Sequence, residues 1–345
     1  MEQADSFARL DAVVNDMKCP LYRGTLSQDR MAAMDAHARA CPTSVTRTIA
    51  DLATYLASAA RSPEEKVRAI CFWLHLNVRY DTEAYFGGTV RSMTADDVLR
   101  DRCTVCHGFS RLMAALCKAC NVECEVISGY AKGMGFTRSL SGTTVTASSG
   151  MKYEANHNWN AVKLYVPSRR KERWHLVDPT WCAGHTNGTT YIQEWGRQYY
   201  MADPLAFVQS HFPENPAWTL LPEDYRLSWQ TFTRVVKLRF PVCWELGVLP
   251  ISHKQLVIQD TSTSDEGLRI VFKVKKGTHM LASFTNSNQK FYPATLSSTN
   301  GHGNSNLYAF TIKNVSRGGA GAVLNIFASH QPYGTFSHVT EYVIA

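Results

Sequence analysis

Apolar positions in the first two-thirds of the chain recur with a helical period in some stretches and with a strand period in others. Residues 44–60 place Ile49, Leu52, Ala53 and Leu56 at steps of three and four, which predicts a helix with one buried face. Ser62-Pro63-Glu64-Glu65 then reads as a helix start: an N-cap hydroxyl, a proline in the first turn, and acids near the positive end of the dipole. That helix carries Val67, Ile70, Cys71, Leu74 and Val78 on one face and is expected to stop between Asn77 and Asp81. A third helix is predicted over 106–119, where Phe109, Leu112, Met113, Leu116 and Cys120 form an amphipathic stripe. Strand-like runs follow at 123–130, 159–166 and 174–178. Between the first two lies a Gly-, Ser- and Thr-rich segment, 133–152, that reads as an exposed loop; a basic turn over 168–172 separates the last two.

The texture changes near residue 230. Short apolar runs at 235–240, 255–259, 268–274, 280–284, 307–312, 323–328 and 339–344 alternate with Gly, Asn, Ser and Thr clusters. With no helical period, they predict seven strands of a β-sandwich. Pro213, Pro216 and Pro222 mark the connecting stretch. The expected fold class is therefore α+β. A helical extension over 1–43 precedes a core over 44–228, and an immunoglobulin-like β-sandwich occupies 229–345.

Composition narrows the function classes. With 45% apolar and 19% charged residues over 345 positions, the chain can bury sizeable cores and is not a disordered protein. A net charge of +7, without dense basic runs interleaved with aromatics, gives no reason to expect nucleic acid. No stretch approaches the ~18 uninterrupted apolar residues of a membrane helix, so no membrane insertion is expected. Met1-Glu2-Gln3-Ala4-Asp5 has two acids and no apolar run, which is unlike a secretory signal and makes a cytoplasmic location the expectation. The ten cysteines are accordingly expected to be free thiols, Cys71 and Cys117 behaving as small hydrophobes in helical patterns.

Cys103-Thr104-Val105-Cys106-His107 admits three chemistries. As a haem-attachment pentapeptide it is short, and such attachment normally follows export. As half of a zinc site it needs Cys117 and Cys120, but a helix over 106–119 holds Cys106 and Cys117 roughly 16 Å apart along its axis. The third reading is a thiolate at a helix N-terminus, where unpaired N–H groups favour the anion. Gly108 allows a close backbone approach in that turn. A nucleophilic thiol needs an imidazole and an acceptor to orient it. Asn156-His157-Asn158-Trp159-Asn160 places His157 at the mouth of one strand, and Val177-Asp178-Pro179-Thr180-Trp181 places Asp178 at the end of the next. In an antiparallel pair the two lie side by side at one end of the sheet. No cofactor or metal is expected.

Thr104-Val105-Cys106-His107-Gly108-Phe109-Ser110, then His157-Asn158-Trp159-Asn160 with Val162, then Leu176-Val177-Asp178-Pro179-Thr180-Trp181, resemble the three motifs of the transglutaminase-like core. The segment 73–81 is similar to the helix and turn preceding the Cys motif there. Ile127-Ser128-Gly129-Tyr130, Met201-Ala202-Asp203-Pro204, His211-Phe212-Pro213 and Trp218-Thr219-Leu220-Leu221 resemble the kyphoscoliosis-peptidase and hillarin branch. The likeness covers roughly residues 45–225 and is weaker over the β-rich tail. It implies a papain-like core with Cys106 as nucleophile, His157 as general base and acid, and Asp178 as orienter. It further implies a protein substrate, protease or transglutaminase-like activity, and a cytoskeletal link made through the C-terminal domain as a protein-interaction module. Because several family members have lost the Cys, a catalytically silent scaffold for cytoskeletal or cytokinesis proteins is the alternative. A calcium-gated transglutaminase is less expected, since no Asp/Glu loop has calcium-site spacing. His107 stands where the family often carries Gln or Glu and is expected to point to solvent. One oxyanion donor is expected to be the Cys106 backbone N–H; Trp73, on a core face, is not expected to be the second.

Overall fold

The computed structural model describes residues 24–133, 155–166, 170–258, 267–285, 287–296, 305–313 and 322–344. The expected loop over 133–152 lies outside the described residues apart from Gly133, as do Ser168 and Arg169 of the basic turn and residues 1–23 of the helical extension. The described chain divides into two compact units: residues 24–131 with 155–226, and residues 132–133 with 227–344.

The first unit opens with helices α1 (Gln28–Arg39), α2 (Ile49–Ser58), α3 (Pro63–Asn77), α4 (Thr82–Gly87), α5 (Ala95–Asp101) and α6 (Cys106–Ala119). Five of these begin on a polar cap: Ser27, Thr48, Ser62, Asp81 and Thr94 each accept a first-turn N–H on the side chain. Helix α2 starts at Ile49 rather than 44 for this reason. Thr48 accepts from Asp51 N, and the residues before it form a separate tight turn, Thr43–Val45.

Helix α3 corrects the expectation of a single buried face. Val67, Ala69, Ile70, Cys71, Phe72, Trp73 and Leu74 are all buried, and so are Glu64, Glu65, Arg68 and His75. Helices α1, α2 and α6 pack around α3, so its polar side has no access to water and must be paired within the protein. Arg68 makes two bonds to Asp35 of α1, at 2.6 and 2.7 Å. Glu65 receives Arg30 of α1 at 2.7 Å, and Glu64 accepts the Thr25 N–H at 2.9 Å. The helical extension is thereby anchored to the core by charge.

Two short strands, β1 (Arg79–Tyr80) and β2 (Cys103–Thr104), pair in parallel and fix the entry to α6. An antiparallel sheet follows, built from β3 (Cys124–Ala131), β4 (His157–Val166) and β5 (Lys171–Val177). After the short helix α7 (Pro179–Ala183), the hairpin β6 (His185–Asn187) and β7 (Thr190–Ile192), and α8 (Pro204–Phe207), strand β8 (His211–Pro213) joins that sheet, giving the order β5-β4-β3-β8. Phe109, Leu112, Met113 and Leu116 of α6 share one core with Val162 and Leu164 of β4. The stripe predicted for α6 is the face that holds it to the sheet.

In the second unit, α9 (Trp229–Arg234) and α10 (Phe240–Leu246) precede two four-stranded sheets. One is ordered β10-β16-β15-β12 and the other β13-β14-β11-β9. These strands are β9 (Leu249–Pro250), β10 (Val257–Ile258), β11 (Leu268–Lys275), β12 (His279–Phe284), β13 (Ala294–Leu296), β14 (Ser305–Ile312), β15 (Ala322–Ser329) and β16 (Ser337–Ile344). Leu268, Ile270, Phe272 and Val274 alternate inward along β11, and Phe272 meets Tyr342 of the other sheet edge-on at 6.4 Å. Six of the seven expected runs contain a strand. The exception, 235–240, is extended with one bridge between Val235 and Gln255 and then enters α10 at Phe240. Among the described residues no helix is long and apolar enough to cross a membrane.

Asp35→Ala should expose the dependence of α3 on its buried partners. It strands the Arg68 guanidinium, whose side chain is only 7% exposed. A loss of about 3 kcal/mol of unfolding free energy is expected in urea titrations. A change below about 0.5 kcal/mol would mean that the pair is a solvated surface contact.

Candidate active site

Helix α6 differs from the five helices before it. The residue preceding it is Val105, whose side chain accepts nothing, so no cap competes for its first-turn N–H groups. Cys106 occupies the first helical position and is 9% exposed. Two features hold that turn in place. A methyl group at position 108 would overlap Thr104 of β2, so only glycine lets α6 start this close to the strand. The buried Asn160 side chain donates to the Ser110 carbonyl at 3.1 Å and ties the first turns of α6 to β4.

His157 opens β4, where it pairs with Gly129 of β3, and Asp178 follows the last residue of β5. The antiparallel register sets Asn160 opposite Val177, which brings His157 and Asp178 to the same end of the sheet. His157 Nε2 donates to Asp178 Oδ2 at 2.7 Å. The other ring nitrogen is left for Cys106, whose thiol lies close enough for His157 to act on its ionisation. The structure thus brings together all three residues named from the sequence.

Burial pushes the Cys106 thiol up, but the hydrogen bond and charge of His157, with the backbone N–H of Asn158, outweigh it and leave the thiol below its ordinary value. For His157 burial disfavours the imidazolium, yet the charge of Asp178 and bonds to Asp178 and Cys106 lift it to about 10. Burial alone would raise Asp178 too. The imidazolium, together with bonds from His157 and His211, instead holds its carboxyl well below the usual carboxylate range.

His211 was not assigned to the site from the sequence. Its Nε2 lies 3.0 Å from Asp178 Oδ2, the oxygen that also bonds His157. The one available signal was that His211-Phe212-Pro213 matched a branch motif; the chemistry of that motif is only visible once β8 joins the sheet. Oδ1 of Asp178 accepts the Thr180 and Trp181 N–H groups at 2.9 and 3.0 Å and so caps α7. The three imidazole and carboxylate atoms lie within 4.8 Å of one another, and direct hydrogen bonds account for their grouping.

A family model described as the Transglutaminase-like superfamily matches residues 50–179, a span that contains all three residues. Residues 50–179 are thus a transglutaminase-like domain, and its similarity is to the branch of kyphoscoliosis peptidase and hillarin. Kyphoscoliosis peptidase of Mus musculus is 33% identical over 195 residues, 55% of this chain and 27% of that protein. The Lim and transglutaminase domain protein ltd-1 of Caenorhabditis elegans is 26% identical over 223 residues, 61% of this chain and 28% of that protein. Hillarin of Drosophila melanogaster is 25% identical over 196 residues, 52% of this chain and 22% of that protein. The chain spans about a quarter of the length of these relatives.

Within this transglutaminase-like domain the remaining Cys motif residues separate clearly. Cys103 sits in β2, where burial and the nearby Asp81 charge push its thiol up, opposite to Cys106. Helix α6 is unbroken from Cys106 to Ala119, so Cys106 and the buried Cys117 stay at opposite ends and share no tetrahedral site. His107 corrects the expectation that it points to solvent. It is half-buried with Nδ1 3.3 Å from Asn158 Oδ1, and Asn158 in turn donates to Ser128 Oγ at 2.9 Å. Trp73 is fully buried in the core, as expected.

The sign of the pH dependence follows from these partners. Cys106 loses its proton as pH rises, and the imidazolium that favours the anion persists to about 10. Alkylation of Cys106 by iodoacetamide should therefore rise through a midpoint below the free-thiol value of about 8.5. In His157→Ala burial and the Asp178 charge are opposed only by the Asn158 N–H, so the midpoint should move to that value or higher. Equal midpoints would show that His157 has no hold on the thiol. By linkage, the raised His157 stabilises the fold fully below about 6.5, its unfolded value. That contribution is lost as pH climbs to about 10.

Proposed function

We propose that this domain is a cysteine-dependent acyl-transfer enzyme that acts on amide groups of proteins, as a protease or a transglutaminase-like acyltransferase. The observation that carries the proposal is the His157 imidazole, bonded to Asp178 at 2.7 Å and acting on the Cys106 thiol at an uncapped helix N-terminus. In this reading Cys106 Sγ attacks the amide carbonyl carbon, and the oxygen gains the negative charge beside the first-turn N–H groups of α6. His157 then gives its proton to the departing nitrogen as the C–N bond breaks. Water or a primary amine attacks the resulting thioester, losing a proton to His157, and the C–S bond breaks to restore the thiol. Asp178 keeps its negative charge throughout and holds His157 in the orientation that presents one nitrogen to sulfur.

We assign the C-terminal sheets, read as an immunoglobulin-like sandwich, the role of a protein-interaction module. Its partners in this proposal are cytoskeletal proteins, and the setting is the cytoplasm. The support is the family resemblance together with a separate compact unit attached to the transglutaminase-like one.

Two assays on the purified chain test the enzymatic part: release of peptides from a labelled unfolded protein, and incorporation of a fluorescent primary amine into it. One of them should report activity, and Cys106→Ala should reduce it at least about a thousandfold. Activity unchanged in Cys106→Ala, or absent from both assays with the wild type, sinks the proposal and leaves a scaffold.

A further inference from the structure

A Cys–His pair needs one imidazole, yet two converge on Asp178. His211 is 1% exposed and stacks on Phe207 with ring centroids 3.8 Å apart, while Trp159 meets it edge-on at 5.1 Å and Trp181 lies at 4.5 Å. An imidazole in so apolar a cage is costly unless its nitrogens are bonded, and both are. Nε2 faces Asp178 Oδ2 at 3.0 Å, and Nδ1 lies 2.8 Å from Ser210 Oγ.

The protons sort themselves. Ionised Asp178 only accepts, so each ring nitrogen that faces Oδ2 carries hydrogen. His157 thereby keeps Nδ1 for the sulfur. His211 carries hydrogen on Nε2 and turns Nδ1 to the Ser210 hydroxyl, which also lies 3.4 Å from the Phe207 carbonyl. Its Nε2–H fills the second acceptor direction of Oδ2. The titratable groups around the pair come from several elements: Asp178 after β5, His211 from β8, and Tyr80 from β1, whose hydroxyl feels the charges of Cys106 and Asp178.

We propose that His211, held by Ser210, is a positioning residue that fixes Asp178 Oδ2 and through it the orientation of His157 toward Cys106. This extends the acyl-transfer reading above and rests on it. Without the His211 donor the carboxylate is free to turn about its cap bonds on Oδ1, and the bond to His157 loses its fixed direction.

The test compares His211→Phe, which fills the cage without a donor, with His211→Gln, whose side-chain N–H replaces Nε2–H. In His211→Phe the midpoint of Cys106 alkylation should rise by roughly one pH unit, and kcat should fall roughly tenfold at neutral pH with KM unchanged. His211→Gln should stay near the wild type in both. Superimposed profiles for His211→Phe and wild type overturn the proposal. Should the phenylalanine variant fail to fold, nitrogen NMR of the wild-type ring decides. Hydrogen on Nε2 is expected, and a bare Nε2 overturns it. A wild-type Cys106 that resists alkylation at every pH sinks the acyl-transfer reading instead, and the ring tautomer still decides the role of His211.

Discussion

One buried carboxylate holds the functional end of this domain together. Asp178 is 0% exposed and accepts four hydrogen bonds, two on each oxygen. Oδ1 closes the N-terminus of α7, and Oδ2 gathers the first residues of β4 and β8 through their imidazoles. A buried carboxylate lacking these partners would be expelled or neutralised; with all four it stays charged at a cost the bonds offset. The cap of a helix and the orientation of His157 are therefore one interaction, and a change at Asp178 reaches both.

The opposite choice is made at α6. Ser27, Thr48, Ser62, Asp81 and Thr94 satisfy their helices with a side-chain oxygen, as Asp178 does for α7, while Val105 offers none. The first turn of α6 thus has no side-chain cap, and its positive dipole end favours negative charge at Cys106. Leaving a helix end unsatisfied costs stability, and the domain recovers it elsewhere in the same turn. Gly108 lets Thr104 approach, Asn160 bonds the Ser110 carbonyl, and the apolar stripe of α6 packs on β4.

What the chain reveals unaided depends on whether the decisive partner is near in sequence. The α6 stripe and the cap of α3 were legible because each is a local pattern. The full burial of α3 was not, since Arg68 and Glu65 look like a solvated face until Asp35 and Arg30 arrive from a helix more than thirty residues away. Strands of two or three residues such as β9 and β13 are too short for a period to register. In the site, Cys106, His157 and Asp178 announced themselves by motif and by strand position. His211 did not, because its meaning comes from β8 pairing with β3, a tertiary fact with no periodic signature.

The two sides of the Cys106–His157 pair are built for different tasks. Behind it, Asp178, His211 and the rings of Trp159, Trp181 and Phe207 form a largely buried wall in which charge interactions are strong. Tyr80, whose hydroxyl feels the Cys106 charge, meets Tyr85 edge-on, and Tyr85 meets Phe86; the last two are 48% and 45% exposed. In the acyl-transfer reading, the wall favours the thiolate whatever molecule later attacks the thioester. Hydrolysis and amine transfer differ only in which acceptor reaches the front and how well water is kept from it. In that reading, substitutions behind the pair should thus scale both reactions together and leave the ratio between them unchanged.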